Sequence, residues 1–479
     1  MIILGVNETT HDASVSLIED NIILFAGHAE RYSKIKNDWF VNDKLISDAL
    51  KYGKPDLIAY YEKPLLKKSR ILISGGLGGE PPRFMNHPDL KGVPVKNFSH
   101  HYSHAAAGYY TSRFDDAVIV VLDAIGEWNT SSIWVGVGDK IQSVYKKNYP
   151  FSFGLFYSAF TQLLGLKPNE EEYILMGMAS YGKPGKYYSQ VNEYFSSISS
   201  QKYNFHKGII DWQGEITPLN KHDIASAVQK VYEDRLYEFM EFAKKKTGKQ
   251  NLVFMGGCAL NATANTRLWE QFSDVWVMPN PGDAGSSLGA AAAAYGKHLN
   301  WTTPYLGYDI GQARYPAEAA LNAILEDGIA PVVYGRAEYG PRALGNRSIF
   351  GDPRDPEIKS KVNKIKKREQ FRPFAPVVLE EYASDWFEMP ATSPYMQYTV
   401  KCKKPNLIPS VVHIDGTSRV QTVNRRQHPG LHKLLTLFYK ETGIPVLLNT
   451  SLNIKGQPLL NDEHDILEWE KAYGQKVIK

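Results

Sequence analysis

IILGVNETTHDASVSLI, residues 2–18, reads as a buried strand, a polar turn and a returning strand. Such a turn offers backbone N–H groups and short polar side chains to a phosphate. His11 and Asp12 are adjacent within it. An imidazole beside a carboxylate is suited to act as general base toward a hydroxyl, and a turn-stabilising Asx motif beside a surface histidine accounts for the pair about as well. The design recurs in VIVVLDAIGEWNTSSIWVGVG, residues 118–138: an apolar strand ending in Asp123, a turn at Gly126, and strand again. Alone, Asp123 is a strand-terminal turn residue. The repetition favours two facing hairpins with a functional carboxylate at the strand end.

Composition limits the possibilities. A chain of 479 residues is too long for one core and predicts two or three domains. Hydrophobic residues at 43% and charged residues at 22% are ordinary for a globular protein. A net charge of +4 suits anionic small substrates and is far from that of a dedicated nucleic-acid binder. Two cysteines far apart, Cys258 and Cys402, exclude a disulfide framework. No signal-peptide pattern and no apolar run of ~18–20 residues is found, so a cytoplasmic protein without a membrane span is expected.

Between the hairpins, GGLGGEPPRFMNHPDL (75–90) predicts a mobile surface loop. HHYSHAAAGYY predicts a helix that carries His100 and His104 on one face, with His101 about a hundred degrees away. Two histidines four apart ligate one metal ion when a third ligand arrives from elsewhere. NLVFMGGCALN predicts a strand, the pair Gly256-Gly257, and a helix beginning near Asn261, an arrangement that lets a nucleotide approach the backbone closely. In VWVMPNPGDAGSSLGAAAAAYG, Asp283 is expected to be exposed just before a helix, either as that helix's N-cap or as the third metal ligand. Residues 296–318 break the pattern, which places a domain boundary at about 305/306.

Beyond the boundary lies EYGPRALGNRSIFGDPRDPEIKSKVNKIKKREQFRPFAP (338–376), with arginines set among Gly, Pro and aromatic residues. Guanidinium groups bind phosphate and carboxylate in planar, bidentate fashion, so this stretch predicts an oxyanion pocket rather than a solvated basic face. HIDGTSRVQTV places Arg419 and Gln421 alternately on a strand, and GIPVLLNTS is a buried strand that runs into a polar turn.

THDAS, SHHYSHAAAGYY, LDAIGEW, ILMGMASYG, GGCALN, NPGDAGSSLGAA, EYGPRALGNRSI, NKIKKREQFRPFAP, HIDGTSRVQTV and LLNTSLNIKGQP occur in this order along nearly the whole chain. In them the chain resembles the O-carbamoyltransferase family, which includes nodulation-factor, cephalosporin and tobramycin enzymes. The resemblance implies an α/β protein with two parts. Residues 1–305 would form an actin-like ATPase domain (a duplicated ribonuclease-H-like fold) for carbamoyl transfer, and residues 306–479 a YrdC-like α/β domain that forms carbamoyl adenylate from carbamoyl phosphate and ATP. It further implies His100, His104 and Asp283 as ligands of a metal, usually iron as Fe2+, with Mg2+ accompanying ATP. His11 and Asp12 would form the transfer site. Asp123, Gly126, Gly256, Gly257, Asn261, Asn449 and Ser451 would handle the nucleotide. Arg342, Arg347, Lys366, Arg368, Arg372 and Arg419 would line the pocket for carbamoyl phosphate and the ATP phosphates. Where the family often carries lysine within EEEYILMG, this chain has Ile174.

The implied chemistry agrees with the residues. Adenylation supplies the leaving group that a carbamate lacks, and bringing polyanions together needs a ring of cations. The acceptor is a hydroxyl on a sugar, a natural product, or a hydroxymethylated nucleotide or DNA. Monomer and homodimer are equally compatible with the sequence. Two alternatives remain: a kinase on the actin-like scaffold, which has no use for the second arginine-rich part, and a nucleic-acid-binding or tRNA-modifying module whose 354–372 run tracks a backbone.

Overall fold

The computed structural model describes residues 1–73, 80–202, 204–368, 372 and 374–479. Residues 75–79 of the expected mobile loop, and Glu369–Phe371 and Pro373 of the arginine-rich stretch, lie outside the described residues.

The two hairpins each seed a five-stranded sheet. In the first, β1 (Ile2–Asn7), β2 (Ser14–Glu19) and β3 (Ile22–His28) form an antiparallel meander. Strands β4 (Leu57–Tyr60) and β5 (Val95–Asn97) then add in parallel on the other side of β1, giving the order β3-β2-β1-β4-β5. In the second, β6 (Asp116–Leu122), β7 (Asn129–Val137) and β8 (Lys140–Asn148) repeat the meander. Strands β9 (Asn251–Met255) and β10 (Asp274–Trp276) add in parallel to β6, giving β8-β7-β6-β9-β10. The second order and its strand directions reproduce the first. This is the duplicated ribonuclease-H-like arrangement of an actin-like domain, so the repeat seen in sequence is a repeat of whole sheets.

Two helices join the sheets into one core: α1 (His100–Thr111) and α2 (Ser286–Tyr295) pack on each other and on residues of β1, β6 and β9. Their small residues make the packing close. A Cβ on Gly289 of α2 would lie 1.9 Å from the Ser103 carbonyl oxygen of α1, and a Cβ on Gly5 of β1 would lie 1.9 Å from that of Ser287. Gly289→Ala is therefore expected to destabilise the protein by about 3 kcal/mol, read as a lower urea midpoint at unchanged slope, because backbone on both sides leaves no room to relax. A midpoint equal to wild type would show that the helices can part at little cost.

A third, mixed sheet is built from β11 (Ile329–Val333), β12 (Arg347–Gly351), β13 (Ala375–Leu379), β14 (Tyr398–Lys401), β15 (Thr417–Val423) and β16 (Val446–Ser451) in the order β11-β12-β16-β13-β15-β14. The helices Ala317–Asp327 and Pro429–Thr442 pack against it and each other, around a separate apolar cluster. The region between α2 and this sheet is an interface rather than a free tether. Its strand Tyr305–Asp309 lies beside β3, and the Arg336 guanidinium donates to the Leu24 carbonyl. No helix among the described residues is long and apolar enough to cross a membrane. Ile174 is buried in an apolar cluster with Val118, Val120 and Leu122 of β6 and Phe254 of β9.

Candidate active site

Helix α1 starts at His100, whose backbone N–H donates to Glu127 Oε1 at 2.9 Å. Helical spacing then puts His104 one turn on. Their Nε2 atoms lie 3.1 Å apart. Asp123, at the end of β6, brings Oδ2 to 2.9 Å from His100 Nε2 and 3.9 Å from His104 Nε2. Asp283 brings Oδ1 to 3.4 and 3.3 Å from the same two nitrogens. One donor atom from each of the four residues falls within 4.8 Å of all the others. His101 is excluded: its Nδ1 meets Ser132 Oγ, and burial pushes its pKa well below the ordinary value.

One expectation is corrected here. Asp283 is buried, not exposed, and Gly285 rather than Asp283 occupies the cap position of α2, because the close packing of α2 draws its whole first turn inward. Asp123, expected among nucleotide contacts, stands with the metal-type donors. Its place among them has no local signal: no spacing relates the end of β6 to α1 or α2, and only the sheet brings them together.

The electrostatics fit a divalent cation. Burial alone would lower the His100 pKa, yet the Asp283 and Asp123 carboxylates outweigh it and hold the imidazole well above its ordinary value. Burial would raise Asp123, but His100 and His104 draw it down to about 2, and Asp283 is held well below the carboxylate range by His100 and His11. Two buried anions thus depend on positive charge at this spot. Two imidazoles and two carboxylates form a donor set suited to first-row metals. His100 Nδ1 is buried with no partner among the described residues, so the Nε2 face carries its interactions.

The turn of the first hairpin abuts this cluster. His11 Nε2 lies 3.8 Å from Asp283 Oδ2, while Nδ1 lies 2.9 Å from Asp12 Oδ2. Burial opposes a charge on His11, but Asp283 and Asp12 together push its pKa up to about 10. The turn is strained: Thr9 and Asp12 have φ of 72° and 66°, unfavourable for non-glycine and most of all for a β-branched residue. It is held from several sides. Thr9 N–H donates to the Trp39 carbonyl, Lys67 donates to the Thr9 carbonyl, and Asn7 Nδ2 donates to the carbonyls of both Asp12 and Asp283.

Gly126 lets the second hairpin's turn close over His100, since a Cβ there would lie 3.1 Å from the imidazole. Gly256, at φ 90°, ends β9 against β6, where a Cβ would sit 2.1 Å from the Leu122 carbonyl oxygen. Gly257 N–H points to Asp123 Oδ1 at 3.4 Å. Asn261 starts a short helix as expected: its Oδ1 caps it through Ala264 N–H, and its amide pairs reciprocally with Gln229.

The arginine-rich stretch separates into a scaffold and a pocket. Arg347 is corrected to the scaffold: fully buried, it donates to the carbonyls of Tyr334, Gly335, Asn346, Tyr308 and Asn461. Its guanidinium is spent on backbone. Glu338, unremarked in the sequence, organises the loop by accepting the N–H groups of Leu344, Asn346 and Arg347 on one carboxylate oxygen. The loop's exposed arc carries Arg342, whose pKa burial lowers to about 10.

The other cations meet at the third sheet. Burial, with Arg342, Arg368 and Arg372 adding repulsion, holds Arg419 well below the ordinary value. Burial, with Arg368 and Arg372, does the same to Lys366, which donates to Ser451 Oγ at 3.0 Å and Asn453 Oδ1 at 2.6 Å. Arg372 stacks over Tyr173 from the first half of the chain, 4.9 Å from the ring centroid. Asn449 Nδ2 donates to Gln421 Oε1 and to the Ala343 carbonyl, linking this face to the Arg342 loop. Among the described residues, no carboxylate forms an ion pair with Arg342, Lys366 or Arg419. Cations gathered in this way raise the local positive potential, which attracts anions.

Known proteins carry the same organisation. Residues 60–292 match the carbamoyltransferase N-terminus family and residues 321–477 the carbamoyltransferase C-terminus family. Nodulation protein U of Rhizobium tropici is 30% identical, the alignment covering 96% of this chain and 92% of that one. The 3'-hydroxymethylcephem-O-carbamoyltransferase of Amycolatopsis lactamdurans is 29% identical, covering 97% and 95%. Among solved structures, full-length HypF in a phosphate- and nucleotide-bound form is similar with a TM-score of 0.37 at 15% identity, over 61% of this chain and 46% of that one. Matched in both halves and aligned with its relatives almost end to end, this chain is a transferase and belongs to the carbamoyltransferase family.

Proposed function

We propose that the protein is an ATP-dependent O-carbamoyltransferase, with residues 306–479 as a YrdC-like adenylate-forming domain and residues 1–305 as the transfer domain. The observation that carries this reading is the convergence of Arg342, Lys366, Arg368, Arg372 and Arg419 on one face of the third sheet. Carbamoyl phosphate loses its phosphoryl group to water there, and the carbamate oxygen attacks the α-phosphorus of Mg2+-bound ATP as pyrophosphate leaves. The cations offset the assembled negative charge and hold the reactants in line. Asn449 and Ser451, on the same face, contact the reactants.

The acceptor hydroxyl then attacks the carbamoyl carbon, AMP departs, and the hydroxyl proton passes to His11, whose ring Asp12 orients through Nδ1. His100, His104, Asp123 and Asp283 would hold a divalent ion, which we propose is Fe2+. Such an ion would neutralise the two carboxylates, withdraw the pull that keeps His11 protonated, and stabilise charge on the adenylate phosphate. The intermediate is water-sensitive, which favours a closed path between the halves.

One relative's name, a 3'-hydroxymethylcephem-O-carbamoyltransferase, supports a hydroxyl acceptor. A sugar, a natural product, or a hydroxymethylated nucleotide or DNA fits, and the two free cysteines suit the reducing cytoplasm. Incubation with labelled carbamoyl phosphate, ATP and a panel of these acceptors is expected to add the mass of one carbamoyl group to one class. Pyrophosphate release that does not depend on carbamoyl phosphate would overturn the reading.

A further inference from the structure

We propose that Tyr339 is a positioning residue that couples the arginine pocket to the metal-type centre. Its hydroxyl, carried on the Arg342 loop, fixes the Ala284 carbonyl, in the second peptide after Asp283. The role of the coupling rests on the function proposed above; the linkage itself rests on geometry alone.

Tyr339 comes from the second half of the chain and is fully buried in the first. Its hydroxyl donates to the Ala284 carbonyl at 2.8 Å and lies 3.4 Å from Ser287 Oγ. The same carbonyl accepts Ser14 Oγ at 2.7 Å, and the preceding carbonyl, of Asp283 itself, accepts Asn7 Nδ2 at 2.9 Å. Both peptides flanking the start of α2 are thus held by side chains. Two of those side chains come from the first hairpin and one from the Arg342 loop. The carboxylate they orient points one oxygen at His100 and His104 and the other at His11.

The link to the pocket is short and stiff. Arg31 Nη2 donates to the Gly340 carbonyl at 2.6 Å, and a Cβ on Gly340 would lie 2.6 Å from the Pro279 carbonyl oxygen. Glu338 closes the far side of the loop through three N–H groups, and Asn449 and Gln421 hold the Ala343 and Leu344 carbonyls. Arg342 sits between these two anchorages. An anion that draws in Arg342 therefore pulls on Tyr339, and through its hydroxyl on the peptide that aims Asp283. The device would ready the transfer site only when the donor site is filled.

Tyr339→Phe tests this gently. It keeps the ring and its edge contact with His28, and Ala284 keeps Ser14 as donor. The probes are Co2+, read by its visible absorption, and carbamoyl phosphate with a non-hydrolysable ATP analogue. In wild type, the two ligands together are expected to change the bound-Co2+ spectrum. In Tyr339→Phe that change should vanish and Co2+ affinity should fall roughly ten- to a hundred-fold, the scale for loss of an outer-shell contact. Carbamoyl-phosphate-dependent pyrophosphate exchange should stay within about two-fold. Ser14→Ala, which removes the donor from the same half of the chain, should weaken Co2+ binding yet keep the ligand-induced change. A ligand response and Co2+ affinity equal to wild type in Tyr339→Phe would overturn the coupling. A parallel loss of pyrophosphate exchange would reduce Tyr339 to a general structural role. Wild type without any pyrophosphate exchange would instead sink the proposed function, and the Co2+ affinity of the variant would still decide whether Tyr339 positions Asp283.

Discussion

His100→Ala is expected to purify without bound metal, to lose carbamoyl transfer by about a thousand-fold, and to retain carbamoyl-phosphate-dependent pyrophosphate release. The separation follows from where His100 sits. Its Nε2 lies within 3.4 Å of both buried carboxylates and of His104 Nε2, whereas the cations of the pocket gather around Arg419 of β15. Removing the imidazole leaves Asp123 and Asp283 buried with one positive partner fewer. The metal-free variant should therefore also lose about 3 kcal/mol of stability, the scale for breaking a buried ion pair. Elemental analysis, urea denaturation and the two half-reactions read this out separately. Metal content equal to wild type would remove His100 from the ligand set; loss of pyrophosphate release together with transfer would argue that the two centres are one.

Arg419→Ala should show the opposite division and an unusual stability effect. Pyrophosphate release should fall by about a hundred- to a thousand-fold, as when a preorganised donor is removed from a site of developing negative charge. Metal content should be unchanged. Stability should rise by about 1 kcal/mol, because Arg419 is desolvated among Arg342, Arg368 and Arg372, and its Nε has no partner among the described residues. Arg419→Lys should recover the charge without the planar fork and restore only part of the activity. A variant that is less stable and fully active would mean that the cations serve the fold rather than an anion.

Local pattern determined a good deal of this protein. Alternating and continuous apolar runs identified β1, β2, β6, β7, β9, β15 and β16, and helical spacing alone put His100 and His104 on one face. These are short-range properties, set by a period of two in strands and 3.6 in helices. The repeated hairpin foretold a duplicated fold because each hairpin starts the same five-stranded order. The arginine-rich stretch predicts an anion pocket from the kind of residues surrounding its charges, and the fold brings Arg342, Arg368 and Arg372 near Arg419.

Tertiary structure decided the partners. Asp123 joins His100, His104 and Asp283 only because α1 and α2 pack on the sheet that ends at Asp123, and no spacing in the chain records that meeting. Arg342 and Arg347 are five apart in one loop and look alike in sequence. One stands near Arg419 and the other is consumed by five carbonyls, because the strand that carries Arg347 is buried on both sides. Asp283, expected to be exposed as either a helix cap or a metal ligand, is buried because Gly5 and Gly289 let α2 sink into the core and carry it inward. Residue types and periods are written along the chain. Which carboxylate faces which imidazole, and which arginine keeps a free face, depends on contacts between distant segments.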